Sequence, residues 1–169
     1  TETSLTILET IKEQEGARLS ELAERLDLAN STVHNHLRTL EKKEYVVREN
    51  GVYHLGLKFF HFGEHTKNRR RMLPLVRRKT RELAERTGEE VDFNIEEYGR
   101  LIAIIHELSN TKEPGFQVGQ YFYMHTCGSG KAILAELPEE RVDEIIDKWE
   151  LPAKTDHTIT DRDELFDEL

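Results

Sequence analysis

Cysteine and long apolar runs are both scarce in this chain of 169 residues. The single cysteine, Cys127, excludes an internal disulfide and any zinc site built from several cysteines, and it is typical of a reducing, cytoplasmic protein. No stretch approaches the roughly 18 consecutive apolar residues of a membrane span, so we expect no membrane association. No secretory signal is recognisable, and because the first residue is Thr1 we expect the natural start to be missing.

A net positive charge is also lacking, because the formal charge at pH 7 is −9. The acidic residues are concentrated at one end: residues 87–169 hold 7 Lys and Arg against 20 Asp and Glu, a net charge of −13. Residues 69–86 hold 8 against 2, a net charge of +6, and residues 1–68 hold 9 against 11. A DNA-binding protein needs a local basic surface and can carry the opposite charge elsewhere. The net charge therefore does not exclude nucleic acid as a partner.

The stretch from Asn30 to Leu40 is the most informative part of the chain. Helical spacing places Val33, Leu37 and Leu40 on one face and leaves a polar face without any carboxylate. Its hydroxyl, amide, imidazole and guanidinium groups can bind base edges and phosphates. We therefore predict DNA contacts from Ser31, Thr32, His34, Asn35 and Arg38. The alternative is an ordinary solvated helix face.

Two shorter helical patterns precede this stretch. Residues 4–14 form the first, with Ser4 as its expected N-cap, and residues 21–26 form the second, with Ser20 as its expected N-cap. A four-residue link, residues 27–30, then leads into the polar helix. Two helices separated by such a turn, the second with a polar outer face, predict a helix-turn-helix.

A β-hairpin is predicted directly after the polar helix. The run Tyr45-Val46-Val47-Arg48 is β-branched and aromatic, Asn50-Gly51 is a strong hairpin turn signal, and residues 52–55 return as a second strand. A hairpin in this position is a wing. Arg48 and Asn50 are the expected DNA contacts on it, although a wing without any nucleic-acid role remains the alternative.

Residues 57–68 read as a short linker helix too apolar to be fully exposed, so we expect it to pack on the winged unit or on a second subunit. Arg69-Arg70-Arg71 and a helix ending at Gly88 follow. Its expected apolar stripe is Met72, Val76, Thr80, Leu83 and Thr87. Its opposite face carries Arg77, Arg78, Lys79, Arg81 and Arg86, for which phosphate contacts and simple solvation are equally good interpretations.

From residue 89 the hydrophobic period changes to that of strands. Val91, Phe93 and Ile95 alternate with polar residues, and residues 101–105 form a buried strand, which predicts a hairpin in a mixed α+β domain. We expect a polar loop over 110–115 and a third short strand over 116–118. Helices are predicted over 131–137, 139–149 and, capped by Thr160, at the end of the chain. Because the chain ends inside that helix, we expect the natural protein to be longer.

The segment Gly128-Ser129-Gly130-Lys131 superficially resembles a phosphate-binding loop. A true P-loop needs glycine where His125 stands and a hydroxyl residue where Ala132 stands, so we reject that interpretation. A small anion site at a helix start is the better hypothesis, and a closely packed helix start that binds nothing is the alternative. The histidines show no convincing metal-ligand spacing, and no catalytic triad is recognisable. We expect no metal, no cofactor and no enzyme activity.

Four motifs in register resemble the IclR-type transcriptional regulators. The first is Ser31-Thr32-Val33 with Leu37, Thr39 and Leu40, which resembles the recognition helix of that family. Tyr53-His54-Leu55-Gly56 is similar to the end of its wing. The segment from His125 to Ala135 is similar to the start of the main effector-domain helix, and Thr158-Ile159-Thr160-Asp161 with Leu165 also fits.

The resemblance implies an α+β protein with three parts: a winged helix-turn-helix DNA-binding domain (residues 1–56), a linker helix (57–68) and an effector-binding domain with a curved antiparallel sheet (69–169). It implies a palindromic DNA operator, a homodimer or tetramer, and a small organic acid as effector. By the same resemblance, we expect the last third of the usual effector domain to lie beyond the end of this sequence. The effector residues implied are Cys127 and Gly128, with Ser129 and Met124.

The chain departs from the family at two positions in the recognition helix. His36 stands where an apolar residue is usual, and Asn35 stands where a basic residue is common. Asparagine pairs bidentately with adenine, whereas a basic residue favours guanine, so the operator sequence need not be shared. A different hypothesis places a thiol-based redox sensor or a small-molecule enzyme at Cys127, because a thiol at a helix start is more reactive.

Overall fold

A computed structural model describes residues 1–108 and 117–169 of the chain. These residues form two compact units, Thr1–Arg71 and Met72–Leu169. The loop predicted over 110–115, and Phe116 of the strand predicted over 116–118, lie outside the described residues. In the described part of the chain, no helix is long and apolar enough to span a membrane.

The first unit is a winged helix-turn-helix, as predicted. Its elements in order are α1 (Glu2–Glu13), β1 (Ala17–Arg18), α2 (Leu19–Arg25), α3 (Asn30–Lys42), β2 (Val46–Glu49), β3 (Val52–Leu55) and α4 (Lys58–Asn68). The strands form an antiparallel sheet in the order β1-β3-β2, with Val46 opposite Leu55 and Ala17 opposite Tyr53. Strand β1 was not predicted, because two residues are too few to show an alternating pattern.

The core of the first unit holds α3 in place. Val33 and Leu37 are fully buried together with Ile7 and Leu22 from the two preceding helices, and Tyr53 of the wing closes the cluster at 4% exposure. Burying an aliphatic side chain of this size stabilises the fold by about 1.5–3 kcal/mol. The apolar face of α3 predicted from its spacing is therefore confirmed.

The two helix caps predicted in this unit were wrong. Helix α1 begins at Glu2 with Thr1 as its N-cap, and the Ser4 hydroxyl instead lies 2.8 Å from Nδ1 of His36 on α3. Helix α2 begins at Leu19, before Ser20. The backbone N–H of Arg18 donates to the Glu21 carboxylate at 2.6 Å and closes that helix start. At Ser4 a long-range contact replaces the expected cap, whereas at α2 a local hydrogen bond between Arg18 and Glu21 closes the helix start one residue before Ser20.

Helix α4 packs on the winged unit along only one side. The ring centroid of Tyr45 lies 5.4 Å from that of Phe59 and 6.0 Å from that of Phe62. Leu57 and Phe60 remain 86% and 68% exposed. The expectation that this segment packs on the winged unit is thus correct for two aromatic residues, while an apolar face is left in solvent.

The second unit is a mixed α+β domain. Its elements are α5 (Leu73–Thr87), β4 (Val91–Glu97), β5 (Arg100–Glu107), β6 (Tyr121–Tyr123), a 3-10 turn (Met124–Thr126), α6 (Gly128–Leu134), α7 (Glu139–Trp149) and α8 (Arg162–Glu168). The strands form an antiparallel sheet in the order β4-β5-β6. Leu101, Leu134, Val142 and Leu165 are buried in a common cluster.

Three details of this unit differ from the predictions. The third strand is Tyr121–Tyr123, and residues 117–118 are not in a strand. Helix α6 starts at Gly128 and ends at Leu134, so it lies three residues before the predicted range. The cap of α8 is Asp161, whose carboxylate accepts a hydrogen bond from the Glu164 backbone at 3.0 Å, and not Thr160.

The apolar stripe predicted for α5 was only partly correct, because Thr80 is buried as predicted but the other buried residues are different ones. The buried residues are Leu73, Thr80 and Ala84, whereas Met72 and Leu83 are 56% and 43% exposed. The predicted and the observed residues both have helical spacing. Only the position of the sheet decides which of them are buried.

Candidate DNA interface and effector site

The polar face of α3 is exposed, and its predicted DNA-contacting side chains have no polar partners among the described residues. Ser31, His34, Asn35 and Arg38 are exposed and Thr32 is half-buried. Within residues 1–108 and 117–169, none of these five side chains forms a hydrogen bond or an ion pair with another residue. Val33 and Leu37 anchor the opposite face at 0% exposure. The structure thus brings the predicted reading residues together on one rigid, solvent-facing surface.

His36 does not belong to this face. Its imidazole is half-buried and hydrogen-bonds the hydroxyl of Ser4, 32 positions earlier in the chain. His36, which departs from the family pattern, therefore joins α3 to α1. A polar residue is tolerated there because Ser4 satisfies its hydrogen-bonding requirement.

The wing presents its two candidate residues at one end of the hairpin. Asn50 and Gly51 both have positive φ, 51° and 84°, which is the backbone that a tight two-residue hairpin requires. The Arg48 guanidinium carbon lies 5.4 Å from the ring centroid of buried Tyr53. This contact fixes the side chain of Arg48, while Asn50 is exposed at the turn.

The cations of α5 are partly neutralised. Lys79 donates to Glu82 at 2.7 Å, and this hydrogen bond is the main reason why the pKa of the Glu82 carboxyl lies below its ordinary value. Arg81 contacts Glu107 at 3.3 Å. For these residues the solvated, charge-balanced interpretation gains support over phosphate contacts.

The predicted effector residues surround the start of α6. Cys127 is half-buried, and its Sγ lies 3.6 Å from the Ser129 hydroxyl, which also accepts a hydrogen bond from the Asn94 amide at 3.2 Å. The amide oxygen of Asn94 is buried and has no partner among the described residues. Asn94 stands at a register shift in β4. Nothing in the local sequence distinguished it, because only the fold brings it to a residue 35 positions away.

Met124 and Gly128, the other two predicted effector residues, differ from each other in solvent exposure. The Met124 side chain is 2% exposed and packs in the hydrophobic cluster, whereas Gly128 is exposed. Met124 can therefore shape the floor of a site but offers little surface to a ligand in this conformation.

His125 lies beneath the same segment and is 6% exposed. Burial lowers the pKa of its imidazole below the ordinary value, although a hydrogen bond to the Pro152 carbonyl opposes this shift. The carbonyl oxygen can only accept, so Nε2, at 3.2 Å, carries the proton. The lowered pKa favours the neutral imidazole of His125. No group of three possible metal ligands is present in the part of the chain that the structure describes.

Comparison with known proteins gives the same family for both units. The model of the IclR helix-turn-helix domain matches residues 2–50, and that of the bacterial transcriptional regulator IclR C-terminal domain matches residues 65–169. The chain belongs to the IclR family. It is 32% identical to the transcriptional repressor IclR of Escherichia coli over 171 aligned positions, which cover 98% of the chain and 62% of that protein. The relatives are transcriptional regulators and not enzymes.

Solved IclR structures share the fold. The IclR of Thermotoga maritima has a TM-score of 0.68 at 26% identity, covering 99% of this chain and 69% of its own. An IclR homolog from Microbacterium hydrocarbonoxydans, crystallised with 4-hydroxybenzoate, has a TM-score of 0.77 at 20% identity, covering 98% of this chain and 70% of its own. The chain thus spans about two thirds of the length of its IclR relatives.

Proposed function

We propose that this protein regulates transcription by binding operator DNA through α3 and the wing, and that a small carboxylic acid bound in the second unit changes that affinity. The exposed polar face of α3 supports the DNA-binding part of the proposal. Polar groups without hydrogen-bond partners cost free energy only where they are buried. Because this face is exposed, its groups can remain without protein partners and are accessible to DNA.

The reading residues have distinct roles in this proposal. Asn35 pairs with adenine and Arg38 with guanine in the major groove, the two bidentate pairings that these side chains favour. Ser31, Thr32 and His34 contact phosphates or base edges nearby. Arg48 and Asn50 contact the DNA backbone or minor groove through the wing.

We expect Asn35→Ala and Arg38→Ala each to weaken binding to the preferred operator by about 1–3 kcal/mol and to relax base preference at one position per half-site. The preferred duplex is first selected from a random pool, and the affinity of each variant is then measured at a fixed salt concentration. Arg141→Ala is the matched control, since it removes the same charge from the second unit. Equal losses in Arg38→Ala and Arg141→Ala, or an unselective pool, would contradict the proposal.

A homodimer follows from the same proposal. The exposed Leu57 and Phe60 of α4 form an apolar face next to the DNA-binding unit, and such faces commonly pair with a second copy. A two-fold dimer reads a palindrome whose half-site spacing matches the protein. The duplexes selected from the random pool therefore report on the symmetry of the bound protein as well.

The polar group at the start of α6 supports a carboxylic acid that also carries a hydroxyl. Because Ser129 accepts its hydrogen bond from Asn94, its own proton can be donated, either to the Cys127 Sγ at 3.6 Å or to the carboxylate of a ligand. The unpartnered oxygen of Asn94 requires a donor, which a ligand hydroxyl supplies. The 4-hydroxybenzoate bound by one relative carries both groups. Cys127 and Gly128 would line the same site, with Met124 below it.

We expect this chain to bind a hydroxy acid about tenfold more tightly than the matched acid without the hydroxyl, because the latter leaves the Asn94 oxygen unpaired. Glycolate with acetate, and 4-hydroxybenzoate with benzoate, are suitable pairs for calorimetric titration. Asn94→Leu should abolish the preference within a pair, whereas Asn68→Leu, the same chemical change on α4, should preserve it. Equal affinities within both pairs would show that the Asn94 oxygen is not a ligand-binding group.

A further inference from the structure

Three cations of the second unit lie over aromatic rings. We name this group the cation–aromatic patch; it consists of Arg100, Lys148, Lys154, Tyr98, Tyr121, Tyr123 and Trp149. The guanidinium carbon of Arg100 lies over three of the rings, 4.8 Å from the centroid of Tyr121, 5.3 Å from Tyr123 and 5.0 Å from Trp149. Arg100 is thereby fixed at the start of β5, directly opposite Tyr123 of β6.

The two lysines lie over different rings of the patch. Lys148 Nζ lies 5.0 Å from the Trp149 ring centroid and 5.4 Å from that of Tyr98. Lys154 Nζ lies 4.9 Å from the ring centroid of Tyr123. Both lysines are exposed; Lys148 Nζ also donates to the Tyr98 backbone carbonyl at 3.4 Å, and the remaining N–H groups of both lysines can contact water or a partner. The positive charges are therefore spread over several rings.

The other described cations of residues 87–169 behave differently. Lys131 contacts Glu168 at 2.6 Å, Arg141 contacts Glu144 at 2.7 Å, and Arg162 pairs with Asp143. By contrast, no carboxylate in the described ranges forms an ion pair with a cation of the patch. Residues 87–169 nonetheless include 20 Asp and Glu. The patch thus holds three cations without an ion pair among the described residues, in an acidic domain where Glu97 is the residue opposite Arg100 in the sheet.

The geometry concentrates this charge. Arg100 and Lys148 both lie within about 5 Å of the Trp149 ring centroid, so they are no more than about 10 Å apart. This limit is close to the distance at which salt screens exposed charges, so the two cations repel each other only weakly, and both can attract the same carboxylate. The Nε of Arg100 is also buried without a hydrogen-bond acceptor among the described residues. An approaching carboxylate would be attracted by both cations.

We propose that the cation–aromatic patch docks an acidic, extended peptide segment of a partner protein. Several carboxylates on a flexible chain can each reach one cation, while the exposed rings of Tyr98 and Tyr121 contact the methylene groups of the peptide. A rigid DNA duplex fits less well, because its phosphates would also meet the surrounding carboxylates of a domain with a net charge of −13.

Trp149 gives a direct measurement of docking, because it is the only tryptophan of the chain and lies within the patch. Titrating the whole chain with octaglutamate should change its fluorescence saturably, with an affinity that falls as salt is added. Lys148→Gln with Lys154→Gln should raise the dissociation constant about tenfold, since two exposed charge contacts are lost. Lys131→Gln with Arg141→Gln is the matched control, because it removes two paired cations from the same unit.

The outcomes separate the proposal from its competitors. A roughly tenfold weaker affinity of the Lys148/Lys154 variant with unchanged thermal unfolding, together with unchanged binding in the Lys131/Arg141 control, supports a docking surface, whereas parent-like binding by the Lys148/Lys154 variant contradicts it. Equal weakening in both double variants would mean that only overall charge matters, and the proposal would fail. It would also fail if octaglutamine bound as well as octaglutamate, or if a short duplex displaced octaglutamate at lower concentration than octaglutamate displaces itself.

Discussion

Replacing Gly130 with alanine is expected to lower the stability of the second unit by roughly 3 kcal/mol or more, the upper range for overpacking. A Cβ at this position would lie 2.0 Å from the Met124 carbonyl oxygen and 2.7 Å from its Cα. These are backbone atoms of the turn that leads into α6, so no side chain can move aside. Either α6 or the Met124 turn must shift, and both contribute to the hydrophobic cluster.

Unfolding followed by Trp149 fluorescence reports on this unit specifically. For a unit of this size the loss corresponds to a midpoint about 12 °C lower or more. Gly128→Ala is the matched control two residues away, because no atom lies within 4 Å of its added Cβ. A Gly130→Ala protein that unfolds like Gly128→Ala would show that α6 does not press on the Met124 turn.

The elements with strong local signals were predictable from sequence. Helix α3 was predicted because Val33, Leu37 and Leu40 repeat at helical spacing, and the wing because Asn50-Gly51 supplies positive φ without strain. The hairpin of β4 and β5 was predicted from the alternation of Val91, Phe93 and Ile95 and from the apolar run over 101–105. Helix ends were less accurate, since Ser4 and Ser20 have cap-forming side chains but are used within their helices.

The site could be predicted only where it is local in sequence. The reading face of α3 and the group at Cys127 each lie within about ten consecutive residues, so their chemistry was visible. Asn94 became part of the second group only through the pairing of β4 with the rest of the sheet. The cation–aromatic patch draws on β5, β6, α7 and two connecting segments of the second unit, and no spacing rule connects Arg100 with Trp149. The sequence shows which groups are available, but the topology decides which of them meet.

The role of Gly56 illustrates the same limit in the DNA-binding unit. The residue was visible only as part of a motif at the end of the wing. The structure shows that the chain after β3 crosses the connection between α3 and β2, where the Gly56 backbone N–H donates to the Tyr45 carbonyl at 2.8 Å. An added Cβ would lie 2.5 Å from the Glu44 carbonyl oxygen. The glycine is therefore required by close approach between two backbone segments.

We expect Gly56→Ala to destabilise the first unit by about 2–3 kcal/mol, within the usual cost of overpacking. The wing would be pushed away from α3, so operator affinity should fall further than the loss of folded protein explains. Circular dichroism gives the folded fraction, and duplex titration at a temperature where the variant is folded gives the affinity. Gly63→Ala is the control: it lies within α4 with open space around the new methyl group, and alanine favours helix there. If the folded Gly56→Ala protein bound the operator like Gly63→Ala, the relative placement of wing and recognition helix would not depend on this crossing.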